Sequence, residues 1–288
     1  MYKSKRFSYG YDEAEDGKKD ASTMVSDILS DSEFDDLEEV IIGCWGEAWD
    51  EEGGVQPVID DIIKNKDRFA HIKSIYFGDM DYEDCEVSWI VQGDYSKLWS
   101  AMPQLEKLTI KGSQELELGD IEHANLKELE IICGGLPKEI IKQIETAKLP
   151  SLEKLLLYLG MEDYGFDGSI EDIESLLKNS DFKNLTYLGI TDSEIQDDVV
   201  KAILDSKYAA QITVLDISNG TLTDKGGQIL CDGIDKLPNI KKIDAHFHYM
   251  SNKMMNVLKN LDCEVDTDEQ NEADEYDGEL YYYPMLGE

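Results

Sequence analysis

Asp244, His246 and His248 alternate along the stretch Asp-Ala-His-Phe-His, a spacing that puts side chains on one face of a strand. Imidazole and carboxylate in that arrangement are ligands for zinc or manganese. Asp192, Glu194 and Asp216 precede them in neighbouring blocks of similar sequence and could converge on the same place. The acids Asp79, Glu83 and Asp84 lie six blocks away, too far at ~5 Å of sheet per step. No Ser/His/Asp signature, Gly-rich phosphate loop or helical His-Glu-x-x-His accompanies them. With 63 acidic residues, no single carboxylate pair is informative. The reading is therefore no catalytic residue, no metal and no cofactor, with Asp244, His246 and His248 as polar contacts for a partner. A metal-dependent hydrolase at this end of the chain is the rival.

Aromatic residues interleaved with acids make a second group. Trp49 sits in GCWGEAWDEEGG; Asp79, Glu83, Asp84, Trp89 and Gln92 share one long segment; Tyr158, Tyr164, Tyr187, Asp192 and Asp216 follow. Tryptophan and tyrosine combine a large apolar area with a polar handle, the composition of binding hot spots. Trp45 and Trp89 are equally suited to sealing a satellite core beneath the long segment, whereas Trp49, flanked by acids, is expected at the surface.

The elements that must position these residues are set by a frame of apolar residues, Leu-x-x-Leu-x-Leu with Ile or Val allowed. It occurs at Leu37-Val40-Ile42, Ile72-Ile75-Phe77, Leu105-Leu108-Ile110, Leu126-Leu129-Ile131, Leu152-Leu155-Leu157, Leu185-Leu188-Ile190, Ile212-Leu215-Ile217 and Ile240-Ile243-Ala245. The intervals are 35, 33, 21, 26, 33, 27 and 28 residues, the mark of a repeat array with inserted loops. The last two apolar positions alternate on a short strand and point inward, so one unit cannot bury its face alone. Stacked units give a parallel sheet, with the returning segments as outer helices. Apolar spacing of three or four predicts helices at Gln56–Phe69, Lys138–Ala147, Ser169–Lys178, Asp197–Asp205, Asp224–Lys236 and Ser251–Leu261, with Asp224 capping its own. The fold class is α/β: a leucine-rich-repeat solenoid, a horseshoe of about eight repeats with the sheet concave and the helices convex. Each strand sends its chain into a loop on the same edge, where irregular segments carry function.

The stretch Val214–Leu230, VLDISNGTLTDKGGQIL, resembles the ribonuclease-inhibitor-like subclass of leucine-rich repeats. YFGDMDYEDCEVSWIVQGDYS at Tyr76–Ser96, CGGLP at Cys133–Pro137, YLGMEDYG at Tyr158–Gly165, LGITDSE at Leu188–Glu194 and HFHYMS at His246–Ser251 are similar to an uncharacterised bacterial family. Its members are leucine-rich-repeat proteins associated with WGR-domain, molybdate-regulator-like proteins. The resemblance spans roughly Leu37 to Val265. It implies a non-enzymatic module for protein interaction, with a WGR-domain protein as first candidate partner, and carries over no catalytic residue.

Charge excludes other partners. The net charge is −36, and residues 12–61 hold 18 acidic against 2 basic residues while residues 262–288 hold 11 and none. Neutralising nucleic-acid phosphates needs a basic stripe that this chain lacks, and anionic membranes repel it likewise. An acidic decoy of a basic nucleic-acid-binding protein is a further rival. The residues flanking the middle of each frame oppose it, since Lys107, Lys154 and Lys242 alternate there with Glu39, Glu128, Glu130, Asp216 and Asp244. With no apolar run near the ~18 residues that span a bilayer and no apolar secretion core at the start, the expected location is the cytoplasm, as a monomer. Five scattered cysteines are expected as reduced thiols.

Three regions follow: an N-terminal cap at 1–36, the solenoid at 37–265 and an acidic tail at 266–288. The cap is expected as an edge strand at Arg6–Tyr11 and a helix at Ser22–Leu29, covering the first repeat's apolar face. In the tail, Thr267–Gly278 reads as a disordered tether. Leu280–Leu286, LYYYPML, is too aromatic for a solvated end and is expected to dock on its own solenoid or on a partner.

Overall fold

A computed structural model describes residues 2–10, 13–14, 19–50 and 54–287. Among them, ten strands form one sheet in sequence order, all neighbours parallel. They are β1 (Ser4–Phe7), β2 (Glu39–Ile42), β3 (Ser74–Phe77), β4 (Lys107–Lys111), β5 (Glu128–Ile132), β6 (Lys154–Gly160), β7 (Tyr187–Ser193), β8 (Val214–Asp216), β9 (Lys242–Asp244) and β10 (Glu264–Asp266). The chain is a leucine-rich-repeat solenoid. The middle residues of the eight frames, Val40, Ile75, Leu108, Leu129, Leu155, Leu188, Leu215 and Ile243, stand opposite one another in register across β2 to β9. A slip of one residue would turn that whole row outward, so burial of one face fixes the register.

The return segments place helices at Gln56–Lys64, Lys138–Glu145, Ile170–Asn179, Gln196–Leu204, Asp224–Gly233 and Asn252–Leu258. Each turns the same kind of stripe inward, as with Val58, Ile59 and Ile62, or Ile140, Ile141 and Ile144. Most observed helices end earlier than the apolar periodicity, as where a three-residue turn at Ile234–Lys236 follows Asp224–Gly233, while Ile170–Asn179 ends one residue later. Asp224 does not cap its own helix. Thr223 does, and Asp224 instead accepts from Ser251 N–H (2.7 Å) and Ser251 Oγ (2.8 Å) at the start of the next helix. Asp197 ties the preceding pair the same way, accepting from Thr223 N–H, Thr223 Oγ1 and Gly226 N–H.

A second ladder runs along the edge where strands begin. From the second frame on, the residue just before each frame reaches a carbonyl of the preceding repeat. Gln104 donates to Phe69 O and Ile72 O, Asn125 to Pro103 O, Ser151 to Ala124 O, Asn184 to Pro150 O, Gln211 to Phe182 O and Leu185 O, and Asn239 to Ala210 O. His71 Nε2 contacts Phe34 O from the equivalent position. These bonds tie each turn to the preceding repeat, giving a second partner to carbonyls such as Phe34 O, Phe69 O and Phe182 O that already accept within their own turns.

Both ends of the sheet are built from incomplete frames. At the start, β1 is followed by a helix at Ala21–Ser30, whose Asp20 and Thr23 form a reciprocal cap and whose Met24, Val25 and Ile28 are buried. Tyr11, the last residue of the expected edge strand, lies outside the described residues. At the far end, Thr267–Gly278 is not a structureless tether: Asp274–Tyr276 (β11) pairs antiparallel with Glu279–Tyr281 (β12) across a turn at Asp277 and Gly278. The five cysteines are unpaired, with Cys44, Cys85 and Cys133 buried. Burial pushes the Cys133 thiol up to about 12.

Candidate functional site

The inner face of the sheet satisfies its own charges. Glu130 on β5 is buried between Lys107 (3.4 Å) and Lys154 (2.6 Å) and accepts from Thr109 Oγ1 (3.0 Å). Burial alone would raise its carboxyl, but Lys154 and Lys107 outweigh that and hold it low. Lys154 also lies over the Tyr187 ring, whose hydroxyl donates to Asp216 at 2.5 Å. Burial first and Asp216 second hold the Tyr187 hydroxyl protonated. On β9, Asp244 bridges Lys242 (2.9 Å) and His246 Nδ1 (2.6 Å). These two partners overcome the effect of burial and depress its carboxyl. A face so paired offers little free negative charge.

The edge where strands end divides into two halves. In the N-terminal half, Arg6 of β1 crosses to the long second-repeat loop, donating to Asp79 Oδ2 (2.8 Å) and Asp79 O (2.6 Å) and standing 3.4 Å from Asp84. Asp81 holds the turn by accepting from Glu83 N–H and Asp84 N–H. On that support Trp49, Tyr82 and Trp89, with Cys85 and Glu86, line a hollow of about 250 Å³. The three rings are 44%, 77% and 54% exposed, and exposed aromatics of this size gathered in one place mark an interaction surface. Trp49 also borders an adjoining hollow with Glu47, Glu83 and Asp84. Trp45 is buried, as satellite-core packing requires, whereas Trp89 is open to solvent. Tyr82 was missing from the sequence reading, although it shares the acid-flanked setting of Trp49.

Gln92, expected on this edge, is 2% exposed and structural. Its Nε2 donates to Lys111 O and its Oε1 accepts from the buried Tyr95 hydroxyl at 2.5 Å. Asp192, Asp216 and His248 are likewise inside and not available as first contacts. Asp216 accepts from Tyr187 Oη and from Ser218 N–H and Oγ. His248 leaves the face of His246 because β9 ends at Asp244 and Phe247 takes a left-handed φ of 53°. Both His248 ring nitrogens then serve the backbone, Nε2 at Thr267 O and Nδ1 at Met250 N–H. The convergence of Asp244, His246 and His248 that the rival metal site would need therefore does not form, and among the described residues no group of three His, Cys, Asp or Glu is arranged to hold a metal ion.

In the C-terminal half the edge is covered by a strap from the same chain, residues 282–287. Leu286 N–H donates to Asp192 Oδ1 and Met285 N–H to Asn219 O, both at 2.8 Å. Tyr249 Oη donates to Tyr283 O (2.9 Å) and accepts from Tyr283 N–H (3.2 Å), while its ring meets Tyr282 edge-on at 5.0 Å. Gly287 lies against Tyr164 and Met161. Of the tyrosines read as contacts, Tyr164 touches this segment, while the Tyr158 hydroxyl accepts from Asn219 Nδ2 at 3.3 Å. Burial raises the Asp192 carboxyl to about 8, opposed by the strap's two N–H groups, and no ion pair reaches it among the described residues. Asn219 and Tyr249 were not foreseen, since one acts through its carbonyl and the other through a partner 34 residues away.

No family model matches the chain, and no curated protein matches it. Among solved structures it is similar to a Bacteroides fragilis protein, with 39% identity over 98% of this chain and 77% of the other and a TM-score of 0.88. A Leptospira interrogans leucine-rich-repeat protein (14% identity, 84% of this chain, 51% of that one, TM-score 0.35) and a Listeria monocytogenes internalin (11%, 86%, 95%, 0.21) are far more remote and carry no argument.

Proposed function

We propose, for a chain that belongs to the same family as the Bacteroides fragilis protein, that its work is to bind a basic protein partner through the N-terminal half of the strand-end edge. The observation that carries this is the hollow of Trp49, Tyr82 and Trp89 with Glu86 in its lining and Glu47, Glu83 and Asp84 alongside. Aromatic faces attract lysine ammonium and arginine guanidinium groups, and the surrounding carboxylates steer a cationic surface toward them. A WGR-domain protein of basic character, implied by the sequence resemblance, is the first candidate partner. Helices return the chain between most neighbouring strands, though none separates β4 from β5, and that alternation supports the ribonuclease-inhibitor-like subclass. The reading is non-enzymatic, monomeric and cytoplasmic; among the described residues no helix is long and apolar enough to cross a membrane. The decoy and hydrolase rivals gain no support from an inner face that pairs its own charges or from a histidine held by backbone on both sides.

Titration calorimetry of the WGR-domain protein against Trp49→Ala/Trp89→Ala tests this. Loss of two hot-spot aromatics should weaken binding by ~10- to 100-fold with the melting temperature unchanged, and added salt should weaken the wild-type complex. Equal affinity of variant and wild type would remove the hollow from the interface.

A further inference from the structure

The segment Tyr282–Gly287 crosses the ends of β9, β8, β7, β6 and β5 in that order, as its contacts with Tyr249, Asn219, Asp192, Tyr164 and Gly134 require. It is held mainly by its backbone. Tyr283 and Met285 use their main-chain groups and Leu286 its N–H, and Pro284, which has no N–H to satisfy, is the buried residue at the centre. Gly134 leaves room for the Gly287 carbonyl, since a Cβ there would lie 2.6 Å from it. This is the anatomy of a groove that reads an extended peptide: main-chain partners at fixed steps, one buried proline and a glycine floor.

The strap's attachment is weak. It follows the hairpin β11–β12, whose strands are exposed throughout and belong to no larger sheet, and an isolated two-stranded hairpin is marginal in water. Opening that hairpin gives the strap several residues of extra reach, at ~3.3 Å each. The segment demonstrably matched to this groove is the chain's own.

We propose that the groove is a peptide-binding site whose resident ligand is Tyr282–Gly287, and that the same segment of a second copy occupies it in trans once the strap in cis is displaced. The site is separate from the aromatic hollow, and salt distinguishes the two. Two copies of a chain with net charge −36 repel, so salt favours the exchange while weakening a basic partner.

The test uses full-length chain and a fluorescein-labelled peptide of residues 279–288, followed by fluorescence anisotropy. Pro284→Asp/Leu286→Asp should free the groove, and the peptide should bind that variant at least ~10-fold more tightly than wild type, whose groove is filled. Adding Gly134→Ala should abolish the binding. Equal binding by wild type and the Pro284/Leu286 variant, or indifference to Gly134→Ala, overturns the proposal. Gly134→Ala alone, with the strap sequence intact, gives an independent readout: amide exchange at Met285 and Leu286 should quicken by ~10-fold or more, and unchanged exchange would equally overturn it.

Discussion

Gly160→Ala is expected to lower the unfolding free energy by roughly 3 kcal/mol or more, the range of severe single substitutions. Gly160 ends β6 at a left-handed φ of +71°, and an added Cβ would lie 1.8 Å from Gly134 O and 2.1 Å from Gly134 C. The left-handed backbone alone costs an alanine about 1–2 kcal/mol. The remainder comes from pushing apart two backbones, which cannot relax by rotating a side chain. Gly160 pairs with Ser193 of β7 and bridges Gly135, so the displacement spreads into two neighbouring repeats. Gly165→Ala is the control for the close approach, because its φ of +112° is at least as unfavourable to alanine yet its Cβ would meet only Gly135 O at an ordinary 3.6 Å. Urea denaturation should rank Gly160→Ala well below Gly165→Ala, and equal midpoints would mean that the close approach contributes nothing.

Asp192→Asn is expected to flatten the dependence of stability on pH. The buried carboxyl titrates near 8 in the fold and near ~3.9 when unfolded. Between those values the folded chain keeps a proton that the unfolded chain has shed, so this group's contribution is intact below pH ~4 and is lost as pH rises toward 8. Asparagine copies the uncharged state and can still accept from Leu286 N–H. The variant should therefore gain on wild type, by on the order of a few kcal/mol between pH 4 and 8.5. His248 works in the opposite direction: burial lowers its pKa, so its contribution is lost as pH falls below the unfolded value. That term is common to both proteins and cancels in the difference. Carboxylates held low by lysines, such as Glu38 by Lys73 and Glu106 by Lys127, lose their contribution only in more acid solution. A constant difference between variant and wild type from pH 4 to 8.5 would show that Asp192 is ionised throughout.

Much of the architecture was legible because a two-residue alternation repeated eight times has few other physical solutions. The middle frame residues, from Val40 to Ile243, pair in the register that the frame implies. β10 was not legible: only Val265 is apolar at its frame positions, with Asp262 and Thr267 at the other two. The polar residue before each frame, from His71 to Asn239, recurs visibly, yet its role depends on carbonyls in the preceding turn. Side-chain direction failed where the backbone turned sharply. Phe247 at φ 53° swings His248 inward, and Asp192 at φ 52° sits beneath the strap. The tail's wish to dock was readable from LYYYPML, but its seat was not, being made of Asn219 O, Gly134 and one buried carboxylate.

Contacts in a stacked-repeat chain mostly join neighbours, so such a molecule assembles by short steps and frays from its ends. The strap breaks that rule, linking Gly287 to Gly134 across roughly half the length of the chain. A loop of that size closes at an entropic cost that only an already ordered groove can offset. Its seat exists only when β5 to β9 are stacked, so strap docking follows the stacking of those repeats and reports on all five at once.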